Sequence, residues 1–135
     1  MTARSLSILV VPLLVLSAAY AGQVREGSLS AHSDGTKISV RWLSEDEASV
    51  TRFEVERKAG LSGPFILLAQ IALKGNNSAY EYVDESAFRV AESIYQYRIK
   101  VVLANGDAVY YGPVTVRHDV SNVRRTWGSI KAMFR

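Results

Sequence analysis

The sequence predicts an all-β fold: a seven-stranded β-sandwich of two antiparallel sheets, followed by a short amphipathic tail. Three observations predict it. Short runs of alternating apolar and polar residues succeed one another at the close spacing of a sandwich. Clusters of Gly, Asn, Asp, Ser and Pro separate those runs. Helical periodicity is absent until the last sixteen residues, and no internal repeat is visible.

Residues 1–21 stand apart from this pattern. Arg4 precedes the apolar run "LSILVVPLLVL", and the small-residue stretch closes on Ala19-Tyr20-Ala21. This is the layout of a secretory signal peptide. The run is shorter than the ~20 residues of a membrane span. Cleavage after Ala21 would start the mature chain at Gly22 and place it outside the cytoplasm: secreted, periplasmic or on the cell surface. There is no Cys. The sandwich must therefore hold by packing alone, which suits a bacterial export route better than a disulfide-rich eukaryotic one.

From Gly22 the strand candidates follow in order. Val24–Ser30 is the weakest. Thr36–Trp42 alternates, with Ile38, Val40 and Trp42 on one face and Lys37, Ser39 and Arg41 on the other. Phe53–Lys58 sets Phe53 and Val55 against Glu54, Glu56 and Lys58. Phe65–Ile71 is more uniformly apolar. In "AYEYVD", Tyr80 and Tyr82 share a face; in "IYQYRIKVVL", Tyr95, Tyr97, Ile99 and Val101 do. The last run, Asp107–Asp119, is broken by Gly112-Pro113, and a Pro there suits an edge strand or a bulge. Asn105-Gly106-Asp107 between two strand patterns is a strong hairpin signal, because Asn and Gly accept positive φ. Glu85–Ser93 reads as a crossover loop. The expected division is a signal peptide over 1–21, a sandwich over 22–118 and a tail over 119–135.

Charge is uneven along the chain. Sixteen Lys and Arg stand against thirteen Asp and Glu, yet residues 22–116 carry ten cations and twelve carboxylates. The excess of positive charge sits in residues 117–135, with Arg117, Arg124, Arg125, Lys131 and Arg135 against Asp119. The high pI thus describes the tail rather than the domain, and no nucleic-acid partner is expected.

The ordered set "VRW…RFEVERKAG…GPFILLAQI…YEYVDES…YQYRIKVVLANGDAVYYGPVTV" resembles a fibronectin type III domain of the kind found in secreted bacterial surface proteins and exoenzymes. The resemblance covers about residues 24–117. It implies an immunoglobulin-like sandwich with Trp42 as the core aromatic, and it implies that the Tyr95 hydroxyl pins the loop before its own strand. Such modules are generally linked to catalytic or further domains. Here one copy is followed by a tail, and there is no Arg-Gly-Asp triplet. Trp42, Phe53, Val55, Tyr95 and Tyr97 form the expected core.

Candidate chemistry is sparse. The two His, His32 and His118, are expected to be structural or solvated, and no metal or cofactor is expected. Glu45, Asp46 and Glu47 lie in the loop after Trp42 and are read as a solvated loop, since the spacing of a calcium loop is missing. No nucleophile elbow frames a Ser-His-Asp set, so the chain is expected not to be an enzyme. Asn76-Asn77-Ser78 is a formal glycosylation acceptor, relevant only to a eukaryotic route. Most of the Tyr are expected in the core; an exposed row of them would suit a glycan or a protein.

The tail has its own periodicity. Val120, Val123, Trp127, Ile130 and Phe134 fall at steps of three and four, with Arg124, Arg125 and Lys131 off that stripe. Sixteen helical residues would span about 24 Å. Gly128 and the short length make such a helix marginal alone, so it needs a surface. That surface is the domain itself, a partner protein or envelope assembly, or an anionic membrane touched peripherally. Arg124, Arg125, Trp127, Ile130, Lys131 and Phe134 are the docking candidates. A sorting address read by a secretion machine is a further reading. The expected function is therefore an exported module for protein binding, or a structural component of the cell envelope or extracellular matrix, docked by its tail. The alternative is a carbohydrate-binding accessory module of an exoenzyme system.

Overall fold

The computed structural model describes residues 22–87 and 94–119. The chain is an all-β sandwich. Its strands are β1 (Ser30–Ser33), β2 (Ile38–Leu43), β3 (Val50–Ala59), β4 (Ile66–Ile71), β5 (Ala79–Asp84), β6 (Ile94–Leu103) and β7 (Ala108–Arg117). They form two antiparallel sheets, one ordered β1-β2-β5 and the other β4-β3-β6-β7. There is no α-helix among the described residues. The expected signal peptide over 1–21, most of the Glu85–Ser93 crossover and the residues of the expected amphipathic tail from Val120 onward lie outside them.

Alternation sets the core. Ile38, Val40 and Trp42 of β2 face Phe53 and Val55 of β3 and Tyr95, Tyr97, Ile99 and Val101 of β6, all at 0–1% exposure. Tyr80 of β5 stacks on the Trp42 indole with ring centroids 5.2 Å apart, while Phe53 meets both rings edge-on. Each such side chain taken out of water contributes about 1.5–3 kcal/mol before chain entropy is subtracted.

Two local features differ from the sequence reading or sharpen it. The first strand is Ser30–Ser33, not Val24–Ser30, because a turn at Gly27 separates the two parts. Val24 instead makes an isolated bridge to Ser44. Near the other end, β7 is an edge strand, and its register against β6 shifts between Tyr97 and Ile99, opposite Gly112-Pro113. Gly112 has φ of 99° and its peptide bond to Pro113 is cis. A Cβ at Gly112 would stand 2.9 Å from Leu29 Cδ2 and 3.1 Å from the Tyr97 carbonyl oxygen, so the bulge requires glycine.

Candidate functional site

Two polar clusters brace the sandwich from within. Arg57 shares the inward face of β3 with Phe53 and Val55, and Asp84 ends β5 on the opposite sheet. Arg57 Nη1 donates to Asp84 Oδ2 at 2.7 Å and to Ser86 Oγ at 2.9 Å. The Tyr97 hydroxyl donates to the same Asp84 oxygen at 2.6 Å, while Ser86 N and Oγ donate to Oδ1. Burial opposes charge on Asp84, yet the hydrogen bonds from Tyr97, Ser86 and Arg57 outweigh it and hold the carboxyl below its ordinary range. Burial likewise opposes charge on Arg57, and the bond to Asp84 overcomes it. Burial and the adjacent carboxylate push the Tyr97 hydroxyl far up. Next to this clasp the Tyr95 hydroxyl donates to the Ala87 carbonyl at 2.6 Å, eight residues back.

The second brace corrects the reading of Glu45–Glu47 as a solvated loop. Glu47 is 5% exposed. Its carboxylate accepts from the Tyr80 hydroxyl and from Gly75 N, tying the loop after β2 to the turn before β5. Burial and that carboxylate push the Tyr80 hydroxyl up to about 12. The described residues contain no cluster of three or more metal-ligating side chains.

His118 is buried and its Nδ1 lies 2.6 Å from Ser33 Oγ, joining the end of β7 to β1. Its Nε2 is enclosed, with no hydrogen-bond partner among the described residues. A Ser and a His thus meet, without a carboxylate on the second ring nitrogen.

The surface with most chemistry on offer is the outer face of the four-stranded sheet. Cross-strand register places Glu54 beside Gln70 and Lys100, Glu56 beside Leu67 and Arg98, and Lys100 beside Tyr110. Arg98 Nε donates to Glu56 Oε1 at 2.7 Å. Its guanidinium lies between two rings, 3.9 Å from the Phe65 centroid and 4.3 Å from that of Tyr110. Lys58 Nζ stands 4.9 Å from the same Phe65 ring. Glu54 accepts from Arg52 Nε at 3.0 Å and lies 3.9 Å from Lys100 Nζ. Tyr110 is the one described tyrosine that is exposed, at 48%. The face therefore presents ring surface and fixed donors side by side.

Of the residues singled out from sequence, Trp42, Phe53, Val55, Tyr95 and Tyr97 all lie in the core. The tail candidates Arg124, Arg125, Trp127, Ile130, Lys131 and Phe134 fall outside the described residues. The tyrosines do not make an exposed row, since Tyr80, Tyr95 and Tyr97 are buried and Tyr82 and Tyr111 are half-buried. Sequence reasoning missed Arg98 with its two flanking rings. Strand parity was the signal: Glu54, Glu56, Arg98, Lys100 and Tyr110 all occupy outward positions.

No family model matches the sequence, and no curated protein does. Solved structures do. Pectate lyase PelI from Erwinia chrysanthemi in complex with tetragalacturonic acid is 24% identical, with a TM-score of 0.53 over 70% of this chain and 28% of that one. A second structure of the same lyase is 23% identical, with a TM-score of 0.52 over 70% of this chain and 27% of that one. At this identity the likeness shows the fold alone. The chain spans well under a third of the lyase chains it matches. The expectation that the chain is not an enzyme is corrected here: these two structures are enzyme chains, so this fold occurs within an enzyme, although a match over so little of the lyase does not establish catalysis.

Proposed function

We propose that this chain is an exported module of the fibronectin type III kind that binds glycans alongside carbohydrate-active exoenzymes, through the outer face of its four-stranded sheet. The observation that carries the reading is the stack of Phe65, Arg98 and Tyr110 on that face. An exposed ring offers a flat apolar surface to the C–H side of a sugar, and neighbouring charged groups offer directional bonds to hydroxyls. Two details support the fibronectin type III assignment. The fourth strand pairs with the third, whereas in constant-type immunoglobulin domains it lies with the other sheet. The Tyr95 hydroxyl also pins the loop before its strand. The carbohydrate setting draws support from the lyase structures with the same fold, one of them bound to tetragalacturonic acid.

The test is retention of the purified protein on immobilised polysaccharides, followed by affinity electrophoresis. Saturable binding that Tyr110→Ala reduces supports the reading; binding to no polysaccharide removes it. Export is part of the same proposal and predicts a secreted form whose first residue is Gly22. A second reading, protein binding or a structural role in the envelope or matrix, is favoured by the stripe Val120, Val123, Trp127, Ile130 and Phe134. There the tail docks to a partner protein or touches an anionic membrane peripherally. Removing residues 120–135 should then release the protein from its assembly without altering glycan retention.

A further inference from the structure

The charge on the outer face narrows the ligand further. Over residues 22–116 carboxylates outnumber cations twelve to ten. On this one face the balance is reversed, with Arg52, Lys58, Arg98 and Lys100 against Glu54 and Glu56. Depth sharpens the asymmetry. The Glu54 and Glu56 side chains are 7% and 12% exposed, while those of Arg52, Arg98 and Lys100 are 38%, 27% and 29% exposed. The carboxylates lie underneath as internal counter-ions, and the cations form the outer layer.

Arg98 is the best-placed of these cations. Its Nε is committed to Glu56, its Cζ rests 3.9 Å and 4.3 Å from the Phe65 and Tyr110 ring centroids, and its terminal nitrogens donate to no described residue. A guanidinium fork held this way matches a carboxylate in two parallel hydrogen bonds, with little rotamer freedom left to lose. Lys100 is the cross-strand neighbour of Tyr110, so a second cation stands beside the exposed ring.

Resting on the glycan-binding reading, we infer that this face takes acidic oligosaccharides, with Arg98 holding a uronate carboxylate, Tyr110 stacking on the sugar ring and Lys100 completing the charge match. A neutral glycan would leave the free fork of Arg98 without a charged partner. A polyphosphate would draw on the cations but not on the ring surface.

The experiment is titration calorimetry on the full chain with three probes: a galacturonic acid tetramer, a galactose tetramer that lacks the carboxylates, and a short inorganic polyphosphate. The variants are Tyr110→Ala, Arg98→Lys and the pair Arg98→Gln with Glu56→Gln; the pair avoids leaving a buried carboxylate unpaired. Thermal melts establish that each is folded. The acidic tetramer should bind about tenfold tighter than the neutral one, and Arg98→Lys and the paired variant should each lose about tenfold. Tyr110→Ala should weaken both sugars. Equal binding of the two tetramers, weakened by Tyr110→Ala, overturns the acidic class and leaves the glycan reading standing. Acidic binding that no variant changes places the contact elsewhere and overturns the inference, as does polyphosphate binding as tight as that of the acidic tetramer. Failure of both sugars to bind removes the inference and the glycan reading together.

Discussion

Asp84 is 0% exposed and receives donors from three side chains, two on the facing sheet and one on the loop that follows it. Removing one partner of such a pair leaves an uncompensated buried charge, which costs about 3–5 kcal/mol. Asp84→Asn and Arg57→Ala should therefore each lower the unfolding free energy by that amount. The triple variant Arg57→Met, Asp84→Leu, Tyr97→Phe removes charge and orphaned hydroxyl together, and should recover most of the loss in urea melts. The pH dependence has a definite sign. Because the folded-state pKa of Asp84 is depressed, its contribution is complete above the unfolded value of ~3.9 and is lost as pH falls below it. Asp34 behaves alike, held low by hydrogen bonds from Thr36 and from the Lys37 and Thr36 amides. Acid melts of wild type should thus fall more steeply below about pH 4 than those of Asp84→Asn. The pair was readable in principle. Parity puts Arg57 on the face of Phe53 and Val55, and Asp84 on that of Tyr80 and Tyr82. Two inward charges of opposite sign on different strands imply one another, but sequence gives no distance between them.

Among the elements, β5 and β6 coincide with their expected spans, because alternation marks both and a Gly and Asn turn bounds one end of each, before β5 and after β6. The hairpin between β6 and β7 turns at Gly106, with φ of 89°, where the sequence placed it. Strand β1 lies further along the chain than its pattern predicts because its four residues, "SAHS", show little apolar alternation; hydrogen bonding to β2, not burial, makes them a strand. The bulge in β7 was legible from Gly112-Pro113, but its effect on register was not. Gly112→Ala should cost about 1–3 kcal/mol, since it adds positive-φ strain to the close contacts with Leu29 and Tyr97. A drop in melting temperature beyond that of a surface Gly→Ala control is the check. Strand β4 sits at the sheet edge with Ile66 and Leu67 exposed, at 48% and 51%. Its apolar run therefore reads as uniform because the strand is incompletely covered, not because it is central.

At the scale of the whole molecule, the sandwich and its core followed from period, turn chemistry and composition. The candidate site did not, because it is made by adjacency across strands. Phe65, Arg98 and Tyr110 are far apart in sequence and meet only once β4, β3, β6 and β7 are in register. Charge shows the same limit: a tally along the chain reports a slightly acidic domain, while the fold sets four of its ten cations on one face against two carboxylates. Residues 22–119 should fold independently, with a melting transition within a few degrees of the full chain's and the same far-ultraviolet circular dichroism. A noncooperative melt would show instead that the tail completes the sandwich.

The row from Phe65 through Arg98 to Tyr110 runs across the strands, from the β4 side of the sheet to the opposite edge at β7. Three interstrand steps of about 4.8 Å make the sheet about 14 Å across, and the two ring centroids of the row lie within about 8 Å of each other; both lengths are shorter than a few sugar units laid end to end. A polymer seated along it would overhang both margins of the sheet, so the module could clasp an interior stretch without searching for a terminus. Many copies could then thread onto one long strand, and their number should rise with its length.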